Sequence, residues 1–330
     1  MVTWVRWILK NEIAGKQNIK VGYMTEDQLI SCIEQINSEK KKILNDKRFL
    51  LGDAIYRYLK LIIRMDIKSI YNGIQTKIRY KKVKKKFVKT HIEQYVLSDN
   101  KTDYRTAKIA VYICVLNNYD QIELPLLKFS NMDYFLITDC PEMYKKYSEY
   151  YKIIQLSSDI ISMGPIKANR YVKLHPGKFL DKFDYAIYLD GNVRVIGDIR
   201  RFVIKCNDIT GIAMHEHRLR DCLYDEAESC ILLKKGNSKH LVNQIKRYRG
   251  EGMPEKYGLN EATVIVSDLK NKESIRLMHE WWKEFTISES LRDQIAWPYI
   301  LWKNNYTIYS VGNLGENIYE NNALEIKLHN

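Results

Sequence analysis

No two of the six cysteines, at 32, 114, 140, 206, 222 and 230, form a C-x-x-C pair. A structural zinc site and a disulfide framework are therefore not expected, and the thiols read as reduced, in a cytosolic chain. The sequence also lacks any run near the ~18–20 apolar residues that a spanning helix needs. Its opening, MVTWVRWILKNE, is too short and too charged for a signal peptide, so synthesis and residence in the cytosol are expected. No G-x-G-x-x-G follows the first strand-like segment and no G-x-x-x-x-G-K-[ST] occurs, which argues against a dinucleotide fold and a P-loop NTPase. There is no G-x-S-x-G, no convincing Ser/His/Asp or Cys/His set, and no internal repeat.

What is present is an ordinary globular composition over 330 residues, 45% hydrophobic and 28% charged. That length supports a substantial core, in one large domain or two modest ones. The net charge of +13 is uneven. Residues 1–105 hold 23 Lys and Arg against 11 Asp and Glu, whereas the remainder holds 30 against 29. A nearly neutral body with a basic N-terminal part suggests two jobs. Residues 25–64 read as helical: Thr25 is a plausible N-cap, Gln28 sits at the capping-box position, and Leu29, Ile30, Ile33 and Ile36 recur at helical spacing. Residues 68–89 carry nine basic residues and no acid, with Ile, Tyr, Val and Phe between them. A solvated helical face, an anionic lipid surface and a nucleic acid each fit such a stretch. No zinc-finger spacing, RNP-like motif or Gly-rich clamp accompanies it, so no nucleic-acid partner is expected.

From about residue 106 the texture changes to apolar strands alternating with helical or irregular stretches. Strands are expected at 108–116, 133–139, 150–156, 185–190 and 209–217, with a helix over 167–180. This is the pattern of an α/β domain with a mainly parallel sheet flanked by helices. Ligands in such sheets bind beyond the carboxyl ends of the strands. Asn117 to Asp120, Asp139, and Asp190 to Asn192 all fall at that edge.

Four groups of residues could carry chemistry. In Asp190-Gly191-Asn192, a carboxylate and an amide oxygen two residues apart suit Mg²⁺ or Mn²⁺ shared with phosphate, although a plain Asp-Gly turn is common. Lys167, Arg170 and Lys173, spaced by three, would lie toward one face of a helix and could meet a diphosphate, or form a solvated face. His215 and His217, if both lie on a strand, share a face and could bind metal or contact an acceptor. Arg220, Asp221, Asp225, Glu226 and Glu228 follow and suit sugar hydroxyls or a general base. Finally, Ser290, Arg292, Asp293 and Gln294 stand among tryptophans, which stack on sugars but more often fill cores.

The ordered series NNYD, ITD, KANRYVKLHP, YAIYLDGN, AMHEHRLRDCLYDEA, GLNEATVIV and SLRDQIAW resembles the glycosyltransferase-like family of plant mucilage and pectin-related proteins, which has many bacterial members. The resemblance covers roughly residues 106–310. It implies a GT-A (Rossmann-like) fold similar in style to glycosyltransferase family 8, with residues 106–330 as the transferase domain and 1–105 as a basic, helical, membrane-associating part. It implies that Asn118, Tyr119, Asp120 and Asp139 serve the nucleotide, and Lys167, Arg170 and Lys173 the diphosphate. Asp190 and Asn192 stand where such enzymes carry the D-x-D metal motif, with His329 as the late histidine ligand. Asp293-Gln294 resembles the pair beside the donor sugar, and Glu226 or Asp221 would serve the acceptor hydroxyl. His215, His217, Arg220 and Arg292 would contact substrate. Two departures stand out. Asn192 replaces an acid, and Ser267-Asp268 occupies a place where relatives often have a basic residue. The expected activity is transfer from a nucleotide-sugar, most readily UDP-linked, with Mn²⁺ or Mg²⁺, to a saccharide or lipid-linked acceptor in bacterial surface polysaccharide synthesis. The expected location is cytoplasmic, peripheral at the inner face of the cell membrane, and retention is favoured only by the likeness to family 8. The alternatives are a sugar-phosphate nucleotidyltransferase and a non-catalytic basic membrane or nucleic-acid adaptor.

Overall fold

A computed structural model describes residues 25–63, 67–86, 102–117, 119, 122–315 and 317–327. Strands β1 (Ile109–Val115), β2 (Met132–Thr138), β3 (Lys152–Gln155) and β4 (Tyr185–Leu189) run parallel in the spatial order β3-β2-β1-β4. Residues of β1 are buried along its whole length, the condition that favours a continuous apolar run over an alternating one. Alternation still decides which face each side chain joins. Ala110, Tyr112 and Cys114 meet Ala186 and Tyr188 in one core, while Ile109, Val111, Ile113 and Val115 lie in another.

β5 (Val193–Val195), β6 (Ile212–Glu216), β7 (Asn260–Asp268), β8 (Gly312–Asn313) and β9 (Leu324–Ile326) complete the strands. β4 pairs antiparallel with β7, β7 antiparallel with β6, and β6 parallel with β8, which closes a seven-stranded, mostly parallel sheet. β5 and β9 form a separate antiparallel pair. The architecture is α/β, as the alternating pattern predicts.

Helix α1 (Glu26–Asn45) opens with the Thr25–Gln28 capping box. Its Leu29, Ile30 and Ile33 are buried in the same core as Ile109 and Val111. The Asn37 amide donates to the carbonyls of Ile196 at 3.0 Å and Asn322 at 3.3 Å. This helix is therefore packed into the body, although it falls in the segment read as an accessory part. α2 (Lys47–Ile63) and α3 (Ile67–Lys86) pack on one another. α3 holds the basic stretch up to residue 86, and residues 87–89 lie outside the described ones. No helix among the described residues is long and apolar enough to cross a membrane.

α4 (Ser158–Ile161) leads to α5 (Pro165–Leu174), followed by α6 (Leu223–Leu232), α7 (Ser238–Gly250), α8 (Lys272–Ser288) and α9 (Asp293–Lys303). α5 stops at Leu174, short of the expected 180. His175 precedes Pro176, and the residue before a proline avoids helical dihedrals; residues Pro176–Lys178 form a 3₁₀ turn instead.

Candidate active site

Three parallel strands end side by side, and each ends on a polar turn. After β1, Asn117 adopts a left-handed φ of 52°. Its N–H donates to the Asp139 carboxylate at 3.1 and 3.3 Å. Asp139, directly after β2, thus fixes the turn at the tip of β1. Tyr119 follows and is 74% exposed, an aromatic side chain of the kind that stacks on flat ligands. Asn118 and Asp120 lie outside the described residues. Directly after β4, Asp190 accepts a 2.9 Å hydrogen bond from the Tyr188 hydroxyl. Tyr188 stands opposite Tyr112 in the register and meets it edge to face. The Asp190–Asn192 turn is also held from outside: the Asn192 carbonyl accepts from the Lys327 N–H at 2.9 Å, and its amide donates to the Lys327 carbonyl at 3.0 Å. The last described residues therefore run beside this turn; His329 lies beyond them.

The cations of α5 face Asp293. Lys173 Nζ lies 2.6 Å from one carboxylate oxygen and Arg170 Nε 3.1 Å from the other. Lys173 is 2% exposed and Asp293 4%, so the pair is out of water. Burial alone would raise the Asp293 carboxyl; Arg170, Lys173 and then Arg292 outweigh it and hold the group well below the usual carboxylate range. Asp293 is the first residue of α9, where the helix dipole adds to that preference. Its carbonyl accepts from the Trp281 indole at 2.7 Å. Gln294 donates its amide to the Asn260 carbonyl at 2.8 Å. Lys167, expected on the same cationic face, is half-buried in the first turn of α5.

The approach to α9 is strained. Glu289 and Leu291 both take left-handed φ values, 51° and 62°, which non-glycine residues adopt at a cost of order 1 kcal/mol or more. Gly236 accommodates this bend: a Cβ there would sit 2.6 Å from the Ser290 carbonyl oxygen. The turn carries Arg292 and Asp293 into the core between α5 and α6.

A second buried cluster adjoins the first. Glu226 is gripped by Arg220 and lies 3.5 Å from His217 Nε2 and 4.0 Å from Arg292. Burial would raise its carboxyl, but His217, Arg220 and Arg292 lower it overall. His217 Nδ1 accepts from the N–H groups of Leu219 and Arg220, which leaves Nε2 to carry the proton toward Glu226 and Glu261. Asp221 is buried beside α6, its carbonyl accepting from Gly258. His215 and His217 do not converge as a shared strand face requires. The register shifts between Met214 and His215, and β6 ends at Glu216. His215 is fully buried against Asn321, 2.9 Å from its amide, and burial pushes its imidazole down to about 4. A neutral, enclosed imidazole props the C-terminal segment.

Glu261 and Tyr188 escaped the sequence reading. Glu261 sits at the register shift, 3.7 Å from His217 Nε2. Burial, and next the charge of Glu226, push its carboxyl up to about 7. Its only signal was a glutamate interrupting the apolar strand GLNEATVIV. Folding should therefore weaken as Glu261 ionises. With its folded value above the unfolded one, the group contributes stability that is complete below about pH 4 and lost as pH rises through about 7. After allowance for partial exposure the penalty is about 2 kcal/mol. Glu261→Gln should raise Tm by a few degrees at about pH 8 and leave it nearly unchanged at about pH 4, with chelator present. An offset independent of pH would contradict this origin.

Among the described residues no group of three or more His, Cys, Asp or Glu is placed to hold a metal. Asp190 and Asn192 offer oxygens to a hard cation, but fewer than a resident metal takes. A cation shared with phosphate oxygens fits that set. Arg170, Lys173, Arg220 and Arg292 share only two carboxylates, Asp293 and Glu226, and the positive charge left over suits a diphosphate. A separate cavity of about 420 Å³, lined in part by His175, Lys178, Met278 and His279, contains none of the residues expected at the site.

The class of the protein follows from its family: it is a glycosyltransferase. Residues 75–322 match the family described as TOD1/MUCI70, glycosyltransferase-like domain, and the chain belongs to it. The match begins inside α3, ahead of residue 106. None of the curated proteins matches the sequence. Similar solved structures include mouse xyloside xylosyltransferase 1 in its apo form, at 9% identity and TM-score 0.37, covering 60% of this chain and 82% of that one. The galactosyltransferase LgtC with donor and acceptor sugar analogues matches at 13% identity and TM-score 0.36, over 57% of this chain and 68% of that one. The glycosyltransferase GlyE of Streptococcus pneumoniae matches at 16% identity and TM-score 0.37, over 61% and 45%.

Proposed function

We propose that this glycosyltransferase takes its sugar from a nucleotide diphosphate donor, UDP-linked in the first instance, and passes it to a saccharide or lipid-linked acceptor. The observation that carries this reading is the gathering of Asp139, Asp190 and the Arg170–Lys173–Asp293 clamp at the carboxyl edge of one parallel sheet. Tyr119 and the Asp139-anchored turn would receive the base and ribose. Asp190 and Asn192 would share a divalent cation with the diphosphate, and that cation would stabilise the charge of the leaving group. Asp293, fixed by two cations, is a positioning group, and it aligns Gln294 toward the donor sugar. In the transfer, an acceptor oxygen bonds to the anomeric carbon, the bond from that carbon to the phosphate oxygen breaks, and the nucleoside diphosphate leaves. Glu226, held ionised, is a weak proton acceptor; Glu261 with His217 suits the acceptor hydroxyl better. The basic α3 would keep the enzyme at the cytoplasmic face of an anionic membrane. Polysaccharide synthesis at a bacterial surface is a setting that joins these features.

A thermal-shift screen of UDP-, GDP-, CMP- and dTDP-sugars, with and without Mn²⁺, tests the donor. A donor present at about a hundredfold excess over its Kd stabilises by about 2.7 kcal/mol. The expected result is a rise of a few degrees for a UDP-sugar that depends on the cation. No shift with any nucleotide-sugar would remove the proposal.

A further inference from the structure

Apolar side chains collect on the outside of the N-terminal helices, away from both cores. At the junction of α1 and α2, Ile43, Phe49, Leu50 and Leu51 each expose between 47% and 62% of their area. Lys42, Lys47 and Arg48 stand among them, all exposed. On α3, Tyr71, Ile74 and Ile78 expose 42% or more. At 100° per residue these three fall within about 60° of one another. Lys77, Lys81 and Lys82 flank the stripe, while Val83, roughly opposite, is buried. The helix carries eight basic residues and no acid.

An apolar stripe bordered by lysines, with no acid on the helix, is the pattern of a helix lying in the interface of an anionic bilayer. A second copy of this chain is a poor occupant, since it would bring the same eight positive charges against these. The helices that carry these patches also touch elements that lead to the site. Lys40 pairs with Glu325 of β9 at 3.0 Å, and β9 pairs with β5, which follows Asp190–Asn192. The end of α3 places Tyr80 about 6.0 Å from Lys235, just past α6, which carries Glu226.

We propose that the α1–α2 corner and the outer stripe of α3 form one membrane-docking surface, in which Phe49, Leu50, Leu51, Tyr71, Ile74 and Ile78 enter an anionic lipid interface and the neighbouring lysines meet its headgroups. The inference rests on the membrane reading of the basic segment and deepens it, by adding an apolar half and a direction. The site then lies beside the lipid surface, within reach of an acceptor whose sugar is carried on a lipid. Two separate patches, one apolar corner and one basic stripe, act together, so losing either weakens binding.

Flotation of the full chain with vesicles tests this. Phosphatidylcholine vesicles are compared with vesicles of about 4:1 phosphatidylcholine and phosphatidylglycerol, at about 0.1 M and about 1 M salt. The wild type should bind the anionic vesicles at least about tenfold more tightly, and salt should weaken but not abolish the binding. Phe49→Ser/Leu50→Ser and Ile74→Ser/Ile78→Ser should each reduce it about tenfold. Turnover on a soluble acceptor should persist in both, and Tm should hold, because these side chains are exposed. Equal binding to both vesicle types, or unchanged binding by either variant, would overturn the proposal. So would a dimer on ultracentrifugation that the same substitutions dissolve, or tighter binding to poly(U) RNA than to anionic vesicles. Vesicle binding without sugar transfer would sink the transferase reading alone; transfer without vesicle binding would sink this one alone.

Discussion

Asp293→Ala should cost about 3–5 kcal/mol of stability and abolish transfer, because it leaves Lys173 and Arg170 buried without a counter-charge. Lys173 is the more exposed to this loss in energetic terms, since it is 2% accessible and its ammonium sits 2.6 Å from the carboxylate. Asp293→Asn keeps the shape and removes only the charge, and should lose somewhat less. The sign with pH discriminates the cause. A carboxyl held below its ordinary value contributes stability that is complete above about pH 4 and lost as pH falls further. The deficit of Asp293→Asn should therefore be flat from about pH 5 to about pH 8 and shrink only in stronger acid. The triple change Arg170→Met/Lys173→Met/Asp293→Leu should recover most of the stability and none of the activity, since apolar replacement of a buried ionic cluster is often neutral. Denaturant unfolding of the three variants checks this. If Asp293→Ala unfolds like the wild type, the clamp is not what holds α9 to α5.

Asp190→Asn should lower kcat/KM by about 10³-fold while leaving Tm within about 2 °C. The side chain is only half-buried and its one described partner is the Tyr188 hydroxyl at 2.9 Å, so little packing depends on it. A carboxamide keeps that hydrogen bond and loses the negative charge, which isolates the interaction with a cation. Activity measured over a series of Mn²⁺ concentrations should show the variant needing far more metal. Full activity in Asp190→Asn at the wild-type metal requirement would remove the acidic turn from the site.

The strand ends were legible because their chemistry is local. Asp139 and Asp190 interrupt buried strands, and a buried strand that stops on a carboxylate is visible in a single sequence. The α/β class follows from the same alternation. The cations were legible as residue types but not as a clamp: the spacing of Lys167, Arg170 and Lys173 suggests a face toward phosphate, whereas Arg170 and Lys173 close on Asp293, more than a hundred residues away. Such pairings depend on how α9 packs against α5, which no local pattern encodes. The β5–β9 pair is hidden for the same reason; three-residue strands far apart in the chain carry almost no periodicity. The shared face expected of His215 and His217 is absent because a spacing of two implies one face only in a regular strand, and the shift after Met214 breaks that regularity. Glu261 owes its unusual carboxyl to burial beside Glu226, again a tertiary effect.

The account is tested most directly by the product released when the full chain is incubated with a UDP-sugar, Mn²⁺ and a lipid-linked or saccharide acceptor. It predicts acceptor-dependent release of UDP, no pyrophosphate, and loss of that release in Asp190→Asn. Pyrophosphate formed from a sugar phosphate and a nucleoside triphosphate would contradict it, as would UDP release that is indifferent to Asp190.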